Sequence, residues 1–523
     1  MAWAEPALSP NSKSTPQQRN QRLYITARTF TSTVPRVHLQ VLLLLVLFFS
    51  SLQTVLSIPP QPARAPLLSG QPFIIFWGIS DSSCSSRPDL GSFGMEREGR
   101  VTVFYEDTLG NYPYFVDRDT PVNSGLPQYT RLHDHLQKTG EDLVAALPTP
   151  RYLGLGVLRW AEWVPQWARN RETQKVYLDA SRALLKAFFP NWTPEEVEKW
   201  SQVDFEAAAQ SILIETLLEV QRLRPKALWG VSPYPSCYEA DPSQTPLANY
   251  TGRCPAAEMA LNNELQWLWK RCSALYPLLT LEKLQGGTTG SRLYLSNQIR
   301  EALRVASLAG TVYDLPVFPL VKSVYVATNT FLSQADLVNT VGESAAMGAA
   351  GVVIWEKDET KTERECSDLA EFVRQVLGPY SINVTTASRL CSSSLCQGRG
   401  RCIRQNPESA AYLHLPPPSN VVEKVTEKAE LAKTTVLPET AVKPNVPDPA
   451  EIWKKDFQCQ WFETPDGAIS DQQSPKDGAP VGGLGILEAE DLTGPTGSST
   501  TPLPGNLEES KHSNWGKMSP YQR

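Results

Sequence analysis

The chain has 523 residues, of which 41% are hydrophobic and 9% aromatic, so most of it can bury a core and wholesale disorder is excluded. The formal net charge is −6 at pH 7, and no dense block of lysine and arginine is present. This charge pattern gives no indication of a nucleic-acid partner.

The N-terminal region combines positive charge with a short apolar run at residues 41–49. Five basic side chains precede the run: Lys13, Arg19, Arg22, Arg28 and Arg36. The pattern is typical of a cleaved secretory signal, and an uncleaved membrane anchor is the alternative. Either interpretation predicts a secreted or lumenal body, lysosomal lumen included, in an oxidising compartment. Membrane contact is expected only through a retained N-terminal signal.

From residue 73 to about residue 385, short apolar runs alternate with amphipathic stretches. The runs predict buried strands at residues 73–77, 101–105, 153–158, 227–230, 293–295, 317–321 and 351–355. The amphipathic stretches predict helices at residues 176–189, 205–223 and 258–275. This alternation favours an α/β fold, either a barrel or a doubly wound sheet. The first strand lacks a following glycine-rich phosphate loop, which weakens the nucleotide-binding alternative.

The segment Gly154–Trp163 reads GLGVLRWAEW. Its first half predicts a buried strand and its second half the mouth of a site at the end of that strand. The question it raises is whether Arg159-Trp160-Ala161-Glu162 is a working catalytic strand end.

Nine cysteines fit an oxidising compartment, and their odd number leaves at least one thiol without an intramolecular partner. Cys391, Cys396 and Cys402 lie within twelve residues, which predicts a small disulfide-stapled module. After Cys459 the chain is rich in Gly, Pro, Ser and Thr, which predicts disorder.

Three asparagines head N-glycosylation triplets. Asn249 and Asn383 are the predicted acceptors, whereas Asn191 is a poorer one because Pro194 follows its triplet.

Several motifs in collinear order resemble those of the vertebrate hyaluronidases. They include LGNYPYF at residues 109–115, RPKALWG at 224–230, NYTGRC at 249–254, NELQWLW at 263–269 and GESAAMGAAGVVIW at 342–355. The resemblance runs from about Phe73 to Cys459, and the chain is identified as a divergent member of this family, glycoside hydrolase family 56.

The resemblance implies a distorted TIM-type (β/α) barrel followed by a small disulfide-rich EGF-like module, with no cofactor. The expected segments are a signal or anchor with a proline-rich lead-in at residues 1–70, the barrel at 71–388, the module with an insertion at 389–462, and a disordered tail at 463–523. The implied disulfides are Cys84–Cys366, Cys237–Cys254, Cys391–Cys402 and Cys396–Cys459. Cys272 has no family counterpart and is expected to be a buried, inert thiol.

The resemblance also implies a substrate-assisted glycosidase mechanism. In the family, a strand ends in Asp-Trp-Glu, where the glutamic acid protonates the leaving oxygen and the substrate's acetamido group attacks the anomeric carbon. The aligned residues here are Arg159, Trp160 and Ala161. A methyl group transfers no proton and an arginine stays charged at neutral pH, so neither aligned side chain is catalytic.

Glu162 is the fallback candidate for the missing acid. One residue further along an extended strand, it is expected on the opposite face as an exposed or second-layer glutamate, unless a bulge rotates it inward.

The resemblance places further departures around the same cleft. Family tyrosines, aspartate, arginine and asparagine are replaced at Ser232, Thr280, Ser236, Val164 and Gly78.

Tyr105, Trp160 and Trp355 remain, and with Arg159 they are the predicted substrate contacts. For Trp355, a role as a barrel-core aromatic is the equally weighted alternative.

Three hypotheses about the function remain open. The first is a secreted hyaluronidase-like protein that has lost hydrolysis and binds hyaluronan or chondroitin. The second is an active endo-β-N-acetylglucosaminidase cutting β-1,4 bonds of hyaluronan, and the third is an interaction scaffold that binds no sugar. Whether the chain is an enzyme is thus undecided. His133 and His135 lack a third ligand motif, so they predict a solvated surface pair and no metal site.

Overall fold

The computed structural model describes residues 61–80, 83–97, 99–237, 253–326, 328–357, 361–415 and 449–463. The predicted signal, the Asn249 triplet and nearly all of the predicted tail lie outside these residues. Within them, no helix is both long and apolar enough to span a bilayer.

Parallel strands form the barrel. They are β1 (Ile74–Gly78), β2 (Val101–Phe104), β5 (Leu155–Arg159), β6 (Leu228–Ser232), β7 (Leu278–Leu279), β8 (Leu320–Lys322) and β9 (Gly351–Trp355). Their hydrogen bonds give two sheets, in the orders β2-β5-β6 and β7-β8-β9-β1. The sheets meet where the backbone N–H groups of Ser273 and Ala274 both donate to the carbonyl of Trp229.

Side chains alternate between the barrel interior and the surrounding layer, as the two-residue period of a strand requires. In β1, Ile74 and Phe76 pack inside with Tyr276 and Phe318, whereas Ile75 and Trp77 face the helices. The interior is therefore a packed core, and the strand ends are where a site has room to form.

Helices surround the strands. They are α1 (Leu132–Ala146), α2 (Lys175–Phe188), α3 (Pro194–Leu223), α4 (Ala256–Glu264), α5 (Gln266–Trp269), α6 (Thr289–Ala309), α7 (Gln334–Leu337), α8 (Glu343–Met347), α9 (Glu363–Phe372), α10 (Gly378–Leu395) and α11 (Pro449–Lys454). Five-residue π-helical turns, Val338–Gly342 and Val373–Leu377, connect α7 to α8 and α9 to α10.

Smaller elements complete the fold. A hairpin of β3 (Tyr114–Asp117) and β4 (Thr120–Val122) precedes α1. Single 3-10 turns lie at Gly91–Phe93, Pro127–Tyr129, Trp167–Arg169, Glu172–Gln174 and Lys283–Gln285.

Two sequence predictions of local structure were wrong. Residues 293–295, predicted as a strand, lie inside α6, because their apolar side chains belong to a helical face that covers the barrel. The helix predicted at residues 258–275 is divided into α4 and α5 and ends at Trp269; a turn follows, and Leu275 bridges Val317 before β7 begins.

Helix α3 begins eleven residues before its predicted start. The signal was in the sequence: Thr193 Oγ1 accepts from the Glu196 backbone N–H, and Glu196 Oε2 accepts from the Thr193 backbone N–H. This capping box, with Pro194 at the first helical position, fixes the helix start.

All four implied disulfides are present: Cys84–Cys366, Cys237–Cys254, Cys391–Cys402 and Cys396–Cys459. Cys272 is the free cysteine among the described residues, and burial raises the pKa of its thiol to about 12. The prediction of a buried, unpaired thiol is confirmed, and its inertness stays a prediction.

The C-terminal segment packs as a continuation of the barrel. Strands β10 (Gly400–Arg404) and β11 (Phe457–Trp461) form an antiparallel pair, and Cys402 lies opposite Cys459 in its register. The predicted boundary at residue 389 falls within α10, whose Cys391 packs in the same core as residues of β1. The EGF-like character of this segment stays a prediction.

The two ends of this body meet on one side of the barrel. Ala63 N–H donates to the Trp461 carbonyl at 2.8 Å, and Glu463 N–H donates to the Ala63 carbonyl at 2.8 Å. Asp314, which precedes β8, donates its N–H to Pro62 at 2.9 Å. This junction therefore lies at the amino-terminal ends of the strands.

Candidate functional site

The carboxyl ends of β5, β6 and β9 bring the predicted site residues together. Arg159, the last residue of β5, lies opposite Ser232, the last residue of β6. Trp355 closes β9 between Gly78 of β1 and Lys322 of β8. Barrel enzymes place their chemistry at this end of the strands.

Tyr105 and Trp355 form the centre of the site. The indole Nε1 of Trp355 donates to Tyr105 Oη at 2.9 Å, and that hydroxyl donates to the Glu356 carbonyl at 3.3 Å. Both side chains are more than nine-tenths buried. The two predicted aromatic contacts are thus joined in a fixed arrangement that leaves little of either ring exposed.

Arg159 lies over the aromatic centre. Its guanidinium carbon is 5.5 Å from the centroid of a Trp355 ring, within the range of a cation–π contact. Its Nε and Nη1 are buried and find no hydrogen-bond partner within the described residues. Burial lowers the pKa of the guanidinium. The end of β5 therefore presents a desolvated cation with unused donors.

Trp160, also predicted to contact substrate, is a core residue. It is 1% exposed, its ring lies 4.7 Å from that of Tyr112, and its Nε1 donates to the Tyr105 carbonyl at 3.2 Å. Its contribution to the site is to hold the backbone of Tyr105. The prediction that Trp160 contacts a sugar directly is wrong, because packing leaves its ring no accessible face.

Strand alternation predicts Glu162 on the opposite face of an extended strand. It does not apply here, because β5 already ends at Arg159. Glu162 is partly buried, and its carboxyl group lies near that of Glu106, which follows β2. Burial and then the charge of Glu106 raise the pKa of Glu162, while Lys357 and Arg159 act in the opposite direction. The rim of the site thus carries a pair of neighbouring carboxyl groups.

Lys357 completes this rim. Its Nζ is 4.0 Å from Glu106 Oε1 and 5.8 Å from the centroid of the Tyr105 ring. Glu356, the preceding residue, forms a 2.7 Å ion pair with Lys361 and accepts a hydrogen bond from Ser323 Oγ.

Lys357, Glu356 and Lys361 also line a cavity of about 480 Å³ beside the ends of β8 and β9, together with Lys322 and Arg364. Sequence reasoning missed this charged groove. The signal was available, since Glu356 and Lys357 directly follow the buried run that ends in Trp355.

Ala161 lines a second cavity, of about 280 Å³, with Tyr234 and Ser236. Its methyl group supplies no polar atom to that wall, and its carbonyl accepts from Gln174 Nε2 at 2.9 Å. Ser232 Oγ is buried with no hydrogen-bond partner among the described residues.

The other positions at which the sequence is expected to depart from the family lie around the same strand ends. Val164 is buried beyond β5, Thr280 directly follows β7, and Gly78 ends β1. They therefore change the lining of the cleft more than its framework.

His133 and His135 are not a surface pair. His133 is exposed, but His135 is fully buried in α1, with Nε2 2.7 Å from Thr216 Oγ1 and Nδ1 accepting from the Asn111 N–H at 3.0 Å. The prediction was wrong for His135 because α1 turns that position towards α3. Burial lowers its pKa to about 4. In the described part of the chain, no group of three or more His, Cys, Asp or Glu side chains is arranged to hold a metal ion.

The predicted glycosylation acceptor Asn383 lies on α10. Its side-chain Oδ1 accepts from the Leu415 N–H at 3.0 Å.

Known proteins match this chain in sequence and in fold. The hyaluronidase family model, glycoside hydrolase family 56, matches residues 62–474. The chain is 40% identical to human hyaluronidase-1 over 371 residues, which cover 69% of this chain and 84% of that protein. It is 38% identical to mouse hyaluronidase-2 over 367 residues, covering 68% and 77%.

A solved structure of bee venom hyaluronidase in complex with a hyaluronic acid tetramer is also similar. The TM-score is 0.54 at 27% identity, and the match covers 59% of this chain and 98% of that one. The distorted TIM-type barrel predicted from the sequence is therefore confirmed.

Proposed function

Because the chain belongs to the hyaluronidase family, glycoside hydrolase family 56, we propose that it binds a glycosaminoglycan of the hyaluronan or chondroitin type without hydrolysing it. The proposal depends on the sequence at the end of β5, where the family resemblance aligns Arg159 and Ala161 with two carboxylate residues. A similar barrel has been solved with a hyaluronic acid tetramer, which supports the ligand class.

The loss of hydrolysis follows from the chemistry of proton transfer. Removing a general acid alone typically lowers a rate by about 10²–10⁴-fold. The methyl group of Ala161 has no proton to give, and Ser232 and Thr280 replace the tyrosines expected to orient the acetamido group. Several independent contributions to one transition state are thus absent.

The proposed binding of a glycosaminoglycan depends on the buried donors of Arg159. Its Nε and Nη1 are buried without partners in the described structure, and a guanidinium matches a carboxylate in a two-pronged hydrogen bond. A glucuronate carboxylate supplies both the negative charge and the acceptors that this position lacks. Two acids at the same strand end would repel that group.

Replacement of Arg159 tests the binding. We expect purified wild-type protein to bind immobilised hyaluronan or chondroitin oligosaccharides, and Arg159→Glu to weaken binding by about tenfold or more, since a desolvated charge contact is reversed. Arg389→Glu, an exposed change of equal charge on α10, serves as the control. Equal binding by wild type and Arg159→Glu, or release of reducing ends from polymeric hyaluronan by wild type, would contradict the proposal.

One observation favours a second candidate, hydrolysis of hyaluronan with Glu162 as the acid. Its carboxyl group has a raised pKa and lies beside Glu106 at the rim that also holds Arg159. A carboxylic acid that keeps its proton closer to neutral pH is better suited to general acid catalysis. Glu162 is thus the candidate donor if wild-type protein cuts hyaluronan.

A reducing-end assay between pH 4 and pH 7 separates the two candidates. Hydrolysis by wild type that Glu162→Gln abolishes, and that the exposed control Glu141→Gln retains, would establish the second candidate and refute the first. We expect no release by any of the three proteins, because the raised pKa alone does not supply the missing aspartate and tyrosines.

We also propose that the protein passes through the secretory pathway. The four disulfides of the described structure fit an oxidising compartment, in line with the predicted N-terminal signal. The glycan analysis of the next section tests this passage directly.

A further inference from the structure

An exposed turn joins α2 to α3 and consists of the sequence Phe189-Pro190-Asn191-Trp192-Thr193. The Trp192 N–H donates to the Phe189 carbonyl at 3.1 Å, which closes the turn around Pro190 and Asn191. Asn191 is exposed at its tip.

Aromatic rings gather at this turn. Phe189 and Trp192 stack with centroids 4.0 Å apart and planes 6° apart, and Trp200 lies 6.4 Å from Trp192. Trp200 is 46% exposed and the neighbouring Phe188 is 56% exposed. A cluster of exposed apolar rings marks a surface that contacts something outside the chain's own core.

We propose that Asn191 carries an N-linked glycan whose first N-acetylglucosamine lies against the stacked Phe189–Trp192 pair. Asn191, Trp192 and Thr193 satisfy the acceptor rule of asparagine, any residue but proline, then serine or threonine. The carbon–hydrogen face of a pyranose is apolar and flat, so it suits an aromatic surface. A sugar attached at Asn191 starts next to these rings.

Pro194 counted against this triplet in the sequence, but its structural effect is favourable. Thr193 is the N-cap of α3, with extended dihedrals of φ −67° and ψ 160°, the conformation that a residue before proline prefers. Pro194 therefore begins the helix after the triplet and keeps Asn191 in the exposed turn.

The modification is an ordinary group transfer. The Asn191 side-chain nitrogen attacks the anomeric carbon of a polyprenyl-diphosphate-linked oligosaccharide. The carbon–nitrogen bond forms, the bond to the diphosphate oxygen breaks, the polyprenyl diphosphate leaves, and the amide proton passes to a base of the transferase. The step requires the secretory passage proposed above, which supplies that donor.

Peptide mapping of full-length protein expressed in mammalian cells tests the attachment. Deglycosylation with peptide N-glycosidase in heavy-oxygen water converts each modified asparagine into labelled aspartate, which mass spectrometry locates. We expect label at Asn191 and none at that position in Asn191→Gln. An unlabelled Asn191 overturns the inference, whether or not Asn249 or Asn383 is labelled, and label at those two alone leaves secretory passage intact.

Thermal unfolding tests the packing. We expect enzymatic deglycosylation of native wild type to lower Tm by about 2 °C, the scale of one modest contact in a domain of this size. In Phe189→Ser the same treatment is expected to lower Tm by less than in wild type, while Leu308→Ser, an exposed apolar change on α6, keeps the wild-type shift. A wild-type shift of zero, or one that Phe189→Ser retains, refutes the sugar–aromatic contact.

Discussion

Burying the Arg159 guanidinium without a bound partner is unfavourable in free energy. Burying a cation without hydrogen-bond partners costs several kcal/mol, and a cation–π contact returns about 0.5–2 kcal/mol. The 5.5 Å contact with Trp355 therefore offsets only part of the desolvation, while Nε and Nη1 stay unused among the described residues. A carboxylate bound at this point recovers more free energy here than at a solvated arginine.

His135 gives a residue-scale prediction of acid sensitivity. Its pKa of about 4 in the fold lies below the ordinary value of 6.5, so between these values the unfolded chain binds a proton that the folded chain does not. The free energy of unfolding therefore falls as pH drops through this window, by up to about 3 kcal/mol at roughly 1.4 kcal/mol per pH unit.

Urea unfolding at pH 7 and pH 4.5 measures this effect. In His135→Gln the pH-dependent loss is expected to shrink, whatever its stability at pH 7. The exposed control His133→Gln is expected to keep the wild-type loss. An unchanged loss in His135→Gln would show that His135 is not the titrating group.

The family resemblance predicted Arg159, Tyr105, Trp355 and Glu162 as residues of one site, and sequence reasoning missed Glu106 and Lys357 at its rim. Arg159, Tyr105 and Trp355 each end or follow a buried apolar run, and parallel strands in a barrel bring such ends together. The Glu106–Glu162 pair depends on where β5 ends, and one residue of difference reverses a strand argument. Trp160 looked like a site residue only because the packing of Tyr112 against it was unknown.

At the scale of elements, runs of branched and aromatic residues predicted the strands well, and the errors have physical causes. Strand β7 has two residues, too few to show any periodicity. Residues 293–295 resemble a strand in isolation, but Thr288 and its bond from the Ser291 N–H start a helix that includes them. The start of α3 was readable from its capping box.

A buried ion pair contributes to the packing of the C-terminal strand pair on the barrel. Arg404 of β10 donates through Nη1 and Nη2 to the two carboxylate oxygens of Glu343 on α8, both at 2.9 Å, and both side chains are essentially unexposed. Arg404→Met is expected to lower the free energy of unfolding by about 3–5 kcal/mol, because it leaves a buried carboxylate without its partner.

Double replacement separates the pair from its packing. Adding Glu343→Met to Arg404→Met is expected to restore part of the loss in urea unfolding, since no lone charge remains. Arg374→Met, which breaks the exposed pair with Glu371, is expected to cost less than about 1 kcal/mol. A double variant less stable than Arg404→Met would contradict this account.

At the scale of the whole molecule, Cys84–Cys366 joins the segment after β1 to helix α9 after β9, across 282 residues of chain. Crosslinks that close long loops restrict the unfolded chain most, and losing one typically costs about 2–5 kcal/mol. We expect Cys84→Ser with Cys366→Ser to lower Tm under non-reducing conditions. Cys237→Ser with Cys254→Ser, across 17 residues, is expected to lower it less, and the reverse order would refute the loop argument.

The backbone hydrogen bonds of Ala63 with Trp461 and Glu463 bring the two ends of the described body to the same place. Both ends of the described body leave it behind the barrel, on the side away from Arg159 and Trp355. A tether attached at either of these ends, whether a retained leader or a tag on a sensor chip, therefore holds the molecule from the amino-terminal side of the strands. The carboxyl ends of the strands, where the proposed polymer would bind, lie on the opposite side of the barrel from these two ends.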